Sequence, residues 1–263
     1  MATERKQAKR NGKPRPDTKM KTRSCDGDRF SPEHRDPFRS INGLPDAGEW
    51  HTLENMLPDF CGKRVLDLGC GAGWHCRYAI EHGAIACTGI DISEKMLKEA
   101  WRQNASFWTD YRQTPIEEFE YEPSAFDVVI SSLALHHVDD FGNLCRKIHR
   151  CLTPGGVFVF SVEHPVYTAS GTRQWITGED GEKRHWLIDR YFDEGQREAG
   201  IPGHTPTRFH KTLTSWVNGP LSAGFTITAL AEPEPGKTLL ESDPGLADER
   251  RRPRILAVSA VKN

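Results

Sequence analysis

Two periods of hydrophobic residues alternate along most of this chain. Between residues 28 and 60, the spacing of Trp50, Leu53, Met56 and Leu57 predicts a helical segment with one buried face. Lys63–Leu68 reads as a first strand and Gly69–Gly73 as the turn that follows it. The next helix runs from Trp74 to about His82, with Trp74, Tyr78 and Ala79 on one side, and Gly83 ends it. Ile85–Ile90 is a second strand. Ser93 is suited to cap a second helix whose buried stripe is Met96, Leu97, Ala100 and Trp101. A third strand falls within 106–119, ahead of Pro123. Phe126–Ser132 is a continuous apolar run, the signature of a strand covered on both faces. Asp140 caps a helix carrying Leu144, Ile148 and Leu152, which Pro154-Gly155-Gly156 stops, and Val157–Val162 is the fifth strand. Strands alternating with helices predict an α/β fold on a mostly parallel sheet.

After residue 163 the periodicity is lost. Residues 163–208 are rich in Trp, His, Gly and charge, and are expected to form an insertion covering the active site. Tyr167, Trp175, Trp186, Tyr191 and Phe192 lie there, among several arginines and histidines. Phe209–Ala223 reads as a helix with Leu213, Trp216, Val217 and Leu221 aligned. Phe225–Leu230 and Ile255–Val261 are the last two strands, and 233–254 is a surface loop.

Composition narrows the class. A chain of 263 residues can bury one full domain with an insertion. The formal net charge of −2 gives no global argument for nucleic acid, which is disfavoured as a partner. Residues 1–24 hold nine Lys/Arg against Glu4 and Asp17 and lack an apolar run, so 1–27 is expected to be a basic flexible tail on a domain of 28–263. Nothing approaches the roughly 18 apolar residues of a membrane span. The basic start lacks the apolar core of a secretory signal. Seven scattered cysteines with no Cys-x-x-Cys pair suit a reduced, cytoplasmic protein. The sequence leaves a homodimer open.

The chemistry concentrates at Val65-Leu-Asp-Leu-Gly-Cys-Gly-Ala-Gly73. A dinucleotide loop needs a further glycine where Trp74 stands, and a phosphate loop needs a lysine that this turn lacks. Gly69 and Gly71 still let the backbone approach a ligand closely. The helix start behind them offers N–H groups to a carboxylate. Asp91 closes the next apolar run, where it serves either a ribose or the following helix start. A ligand with a nucleoside, a carboxylate and no phosphate satisfies the pattern.

Together with Gly89-Ile-Asp-Ile-Ser-Glu-Lys-Met-Leu97, Phe126-Asp-Val-Val-Ile130 and Leu152-Thr-Pro-Gly-Gly156, this stretch resembles the class I S-adenosylmethionine-dependent methyltransferases of the UbiE/UbiG-like small-molecule type. The resemblance covers roughly residues 60–162. It implies a Rossmann-like seven-stranded sheet, mostly parallel with the last strand antiparallel, helices on both faces and an inserted lid. It implies S-adenosyl-L-methionine as cofactor, S-adenosyl-L-homocysteine as product and a small-molecule acceptor. By position, Asp67, Gly69, Cys70 and Gly71 would hold the amino-acid end and Asp91 the ribose hydroxyls. Ile92 and Met96 would pack on the adenine, and Ser131 or Ser132 would offer a carbonyl to the cofactor's amino group. The stretch Thr114-Pro-Ile-Glu-Glu118 departs from the family, with Pro115 in place of an acid. Glu117 or the backbone of Ile116 would take the adenine amino group there, unless Glu117 is simply solvated. Arg39 would pair with the cofactor carboxylate, unless it is a surface arginine.

Methyl transfer by in-line displacement needs alignment more than it needs a base. The candidate bases are His164, preferred because it follows strand 5 and faces the insertion, and the pair His136 and His137 after strand 4. A metal is not expected, since histidine stands at 136 where UbiG-like relatives carry a glutamate. The expected reaction is O-methylation of a carboxylic acid or phenol. N- or C-methylation, methylation of protein or RNA, and a non-catalytic cofactor-binding role are the alternatives.

Overall fold

The computed structural model describes residue 44 and residues 48–170, 174–197, 207–235, 240–241 and 244–263. Arg39 and the basic tail lie outside the described residues. So does most of the expected helical segment at 28–60, of which one short helix is described, α1 (Trp50–Met56).

Seven strands form one sheet: β1 (Arg64–Leu68), β2 (Ala86–Asp91), β3 (Thr109–Gln113), β4 (Phe126–Ser132), β5 (Leu152–Glu163), β10 (Phe225–Ala231) and β11 (Ile255–Lys262). Their spatial order is β10-β11-β5-β4-β1-β2-β3. The pairings from β3 through β5 are parallel, while β11 is antiparallel to both β5 and β10. This is the Rossmann-like methyltransferase sheet. The chain leaves β1 for β2 on one side and later returns to β4 on the other. The crevice at the carboxyl ends of β1 and β4 is therefore the switch point where such sheets bind ligands.

Helices α2 (Trp74–Glu81), α3 (Glu94–Asn104), α4 (Phe141–Cys151) and α6 (Leu213–Ser222) flank the sheet. Ser93 and Asp140 cap α3 and α4 as expected, accepting from Met96 N–H and Asn143 N–H. The core between α4, α6 and the sheet holds Phe141, Leu144, Ile148, Phe158, Phe160 and Trp216, all buried. At the opposite ends of β1 and β4, Asp127 accepts three hydrogen bonds from Arg64, which hold its carboxyl down at about 2.

Several expectations need correction. Trp101, assigned to the buried stripe of α3, is half exposed, and Asn104 takes an interior place by donating to the Ala72 carbonyl. Pro154-Gly155-Gly156 falls inside β5 as an irregularity in its pairing with β4, because α4 has already ended at Cys151. Phe209 and His210, expected to start a helix, form strand β9 with Arg208 (Arg208–His210). Leu213 and Leu221 are exposed, since α6 turns Trp216 and Pro220 inward. The loop expected at 233–254 contains a 3-10 helix, Pro244–Arg251.

The irregular region after β5 contains helix α5 (Pro165–Ala169) and two antiparallel ribbons: β6 (Trp175–Thr177) with β7 (Lys183–Trp186), and β8 (Gly195–Arg197) with β9 (Arg208–His210). Arg252 fastens the first ribbon. Its guanidinium lies 4.0 Å from the Trp186 ring centroid and 4.8 Å from that of Tyr167, and it forks onto Glu249.

Candidate functional site

The glycine turn is held from below by main-chain bonds. Gly69 and Cys70 N–H both donate to Ile90 C=O, and Gly73 N–H donates to Cys70 C=O. Gly69, Gly71 and Gly73 have φ of 74°, 54° and 80°, the left-handed region that glycine enters without penalty. Close approach adds a second requirement. A Cβ at Gly69 would stand 2.3 Å from Ala134 Cβ, and one at Gly73 would stand 2.2 Å from Tyr111 Oη. Thus the loop after β4 lies directly on the loop after β1. Leu133 in that loop has φ 50°, a conformation unusual for leucine, with its N–H bonded to Ser161.

Asp91, at the end of β2, accepts from Gly71 N–H at 2.9 Å and Ser93 N–H at 2.8 Å. These bonds give the turn an anionic partner within the protein. Gly71 N–H, expected to meet a ligand carboxylate, is used here instead. A carboxylate has about four lone-pair sites, enough to take two ribose hydroxyls besides these donors. Ile92 and Met96 are half-buried beside it, and Met96 Cε comes within 3.2 Å of a Cβ built on Gly71. A hydrophobic wall thus stands above the turn on the side of Asp91.

Asp67 is almost fully buried. Its Oδ2 receives the Cys76 thiol at 3.5 Å, while Oδ1 has no partner among the described residues. Burial pushes its carboxyl well above the usual carboxylate range. An orphaned carboxylate oxygen beneath a glycine cradle fits an ammonium, so these residues suit the amino-acid end of the implied cofactor.

The other expected contacts are distributed unevenly. Ser131 is buried and donates to Leu68 C=O. Ser132 donates to Glu49, a carboxylate 2% exposed at the start of α1. The Ile116 side chain reaches to 3.8 Å of a Cβ built on Gly69, and its carbonyl accepts from Tyr121 Oη. Glu117 is exposed, and its carbonyl takes Lys147.

Hydrogen-bond partners fix the tautomers of the three histidines, with consequences for base chemistry. His164 accepts from Val166 N–H at Nδ1, capping α5, and its Nε2 faces Glu232 at 2.8 Å. A ring that accepts at Nδ1 carries its proton on Nε2. His164 therefore has no lone pair to offer, which corrects its selection as the preferred base. His136, also buried, accepts from Glu163 N–H at Nδ1, and the same argument removes it. His137 is oriented the other way. Its Nδ1 lies 2.7 Å from the Thr207 carbonyl and must donate, which makes Nε2 its basic nitrogen. His137 ends the 3-10 turn Leu135–His137, against which β9 packs, so the insertion orients it.

Two groups were not singled out from the sequence. Glu49 carries no assigned role in the sequence, because a lone acid before a helix reads as a cap. Trp74 was noted as a missing glycine and as part of the following helix's apolar side, with no role for its indole N–H. Its indole Nε1 is buried without a partner among the described residues, directly after the cradle.

The sequence matches the family described as Methyltransferase domain over residues 66–160. Among solved structures, it is similar to an S-adenosylmethionine-dependent methyltransferase from Mesorhizobium loti, with 40% identity and TM-score 0.78, covering 84% of this chain and all of that one. It is also similar to a Listeria monocytogenes protein described as a candidate S-adenosylmethionine-dependent methyltransferase, with 49% identity and TM-score 0.77, over 82% of this chain and 98% of that one. Ubiquinone biosynthesis O-methyltransferase from Bordetella pertussis is 41% identical over 128 residues, 48% of this chain and 51% of that protein. The match to that named relative spans only about half its length. No helix of the described residues is long and apolar enough to cross a membrane.

Proposed function

The chain belongs to the class I S-adenosylmethionine-dependent methyltransferases, and on that premise we propose that it methylates an oxygen of a small organic acid or phenol. When bound, the cofactor supplies an electrophilic methyl on a sulfonium. The residues supply placement. Asp67, with its Oδ1 unpartnered among the described residues, would hold the ammonium of the amino-acid end, and Asp91 would hold the ribose hydroxyls. Ile92 and Met96 would pack on the adenine, with Ile116 beside Gly69.

The observation that carries the oxygen assignment is the orientation of His137 by the Thr207 carbonyl. A ring held through Nδ1–H presents a basic Nε2, the arrangement that accepts a proton from a hydroxyl. A carboxylate acceptor arrives ionised and needs no such help, so the site serves both acceptor types. The insertion at 163–208 covers the acceptor and positions the base. The O-methyltransferase name of the half-length relative supports the same reading.

Purified protein with labelled cofactor, offered acids, phenols, amines and RNA, tests this. Methylation confined to amines or RNA overturns it. With a phenolic acceptor, His137→Gln should lower kcat by about 10²–10⁴, while His164→Gln should not. The buried Glu49 carboxylate favours a second reading, in which it holds a cationic amine for N-methylation. In that case Glu49→Gln would raise KM for amines and leave acids unaffected.

A further inference from the structure

We propose that two copies of this chain join their sheets through β3, pairing antiparallel about Tyr111. β3 is the end strand of the sheet, with β2 on one side and α2 and α3 on one face, and no further strand beside it among the described residues. Its register with β2 decides which main-chain groups look outward. Trp108 C=O accepts from Cys87 N–H, and Thr114 N–H donates to Asp91 C=O. With the ladder between them in register, the even-numbered residues turn their amides toward β2. Thr109, Tyr111 and Gln113 therefore turn theirs away from the sheet.

A two-fold axis at Tyr111 uses this pattern. Tyr111 exchanges both main-chain bonds with the partner's Tyr111, and Gln113 N–H reaches the partner's Thr109 carbonyl. Asp110 then lies opposite the partner's Arg112 in a close non-hydrogen-bonded pair, and the reverse pair repeats across the axis. Both side chains are exposed on the same face of the strand, and within one chain they already pair at 2.6 Å. The strand is thus its own charge complement when antiparallel, which a closed two-fold assembly requires. Any one-residue slip would remove that match.

Apolar surface continues the edge. Phe107 is 91% exposed, Trp108 55%, Trp101 49% and Ile85 53%. Phe107 and Trp108 stack edge to face at the entry to β3, and Ile85 sits just before β2 at the matching level. Such a cluster beside an open strand is the composition of an interface core with exposed charges at its rim. In the pairing about Tyr111, Phe107 and Trp108 meet the partner's chain as it leaves β3 at Thr114 and Pro115. The carboxyl ends of β1 and β4 lie on the interior strands, so both methyl-transfer sites stay open.

Light scattering on the full chain, at protein concentrations from about 1 to 100 µM, tests the assembly. The natural chain should be a dimer at the upper end. Asp110→Arg and Arg112→Asp should each raise the dimer dissociation constant by more than about tenfold, by placing like charges opposite each other. The double variant D110R/R112D is again its own complement and should restore the dimer. Thermal midpoints of the single variants should stay close to the parent's, since the intrachain pair they lose is exposed. A monomeric natural chain, single variants that dimerise as well as the parent, or a double variant that fails to recover would each overturn the proposal.

Discussion

In the proposed cofactor site, Asp91 and Asp67 are prepared by opposite means. Asp91 is oriented by two N–H donors and half-buried, so it is prepared as an acceptor before any ligand arrives. Asp91→Ala should weaken binding of S-adenosylhomocysteine by about 1.5–3 kcal/mol, the range for hydrogen bonds to charged groups. Calorimetric titration measures this directly, and unchanged affinity would remove Asp91 from the site. Asp67 is buried and its free-state pKa is raised by desolvation. An ammonium against Oδ1 would lower that pKa in the complex. Binding then releases a proton between the two values, and affinity should fall as pH drops through the raised, free-state value. Titrations in buffers of different ionisation enthalpy should reveal the released proton. Asp67→Asn should bind more weakly and show no such release.

The strands and helices around the site were legible because each has its own period. β4 is built on the apolar run Val128-Val-Ile130, and α3 begins where Ser93 can cap it. Individual side chains were less legible. Trp101 lies one turn beyond Leu97 with the right spacing for burial, yet at the edge of the sheet Tyr111 covers it on one side and half of it stays exposed. The insertion was visible only as a loss of period, because its ribbons are three or four residues long and are held by contacts from elsewhere. Arg252, distant in sequence, supplies the main one by filling the space among Trp186, Tyr167 and Trp175. Arg252→Lys keeps the charge but loses the planar stack and the fork onto Glu249. It should cost about 2 kcal/mol of local stability, seen as faster hydrogen exchange at 174–197 while the sheet's core amides stay protected.

The domain as a whole should be sensitive to acid before its carboxylates titrate. His75 is buried against Trp50, and burial lowers it from 6.5 to about 4. The unfolded chain binds this proton first, so stability is full above about pH 6.5 and is lost as pH falls toward 4. The loss amounts to about 3 kcal/mol at 1.36 kcal/mol per unit. His149, His164 and His210 are lowered in the same sense and add to the slope. Urea unfolding at several pH values should show a falling midpoint across this window. His75→Gln should flatten the slope by its share, whatever it costs at neutral pH.

From residue order alone came the sheet and the glycine cradle, and from the family resemblance of those motifs came the methyl donor. These depend on neighbours in sequence: a strand's period, a turn's need for glycine, an acid at the next strand's end. The role of each histidine was of another kind. His136, His137 and His164 are the same side chain just beyond the carboxyl ends of the adjacent strands β4 and β5, and nothing in the sequence ranks them as bases. What separates them is which ring nitrogen meets a donor and which meets a carbonyl, and those partners, Glu163, Thr207, Val166 and Glu232, reach them through tertiary packing and local backbone folding. A proton's position on imidazole follows from its surroundings, so it became readable only once the chain had folded around it.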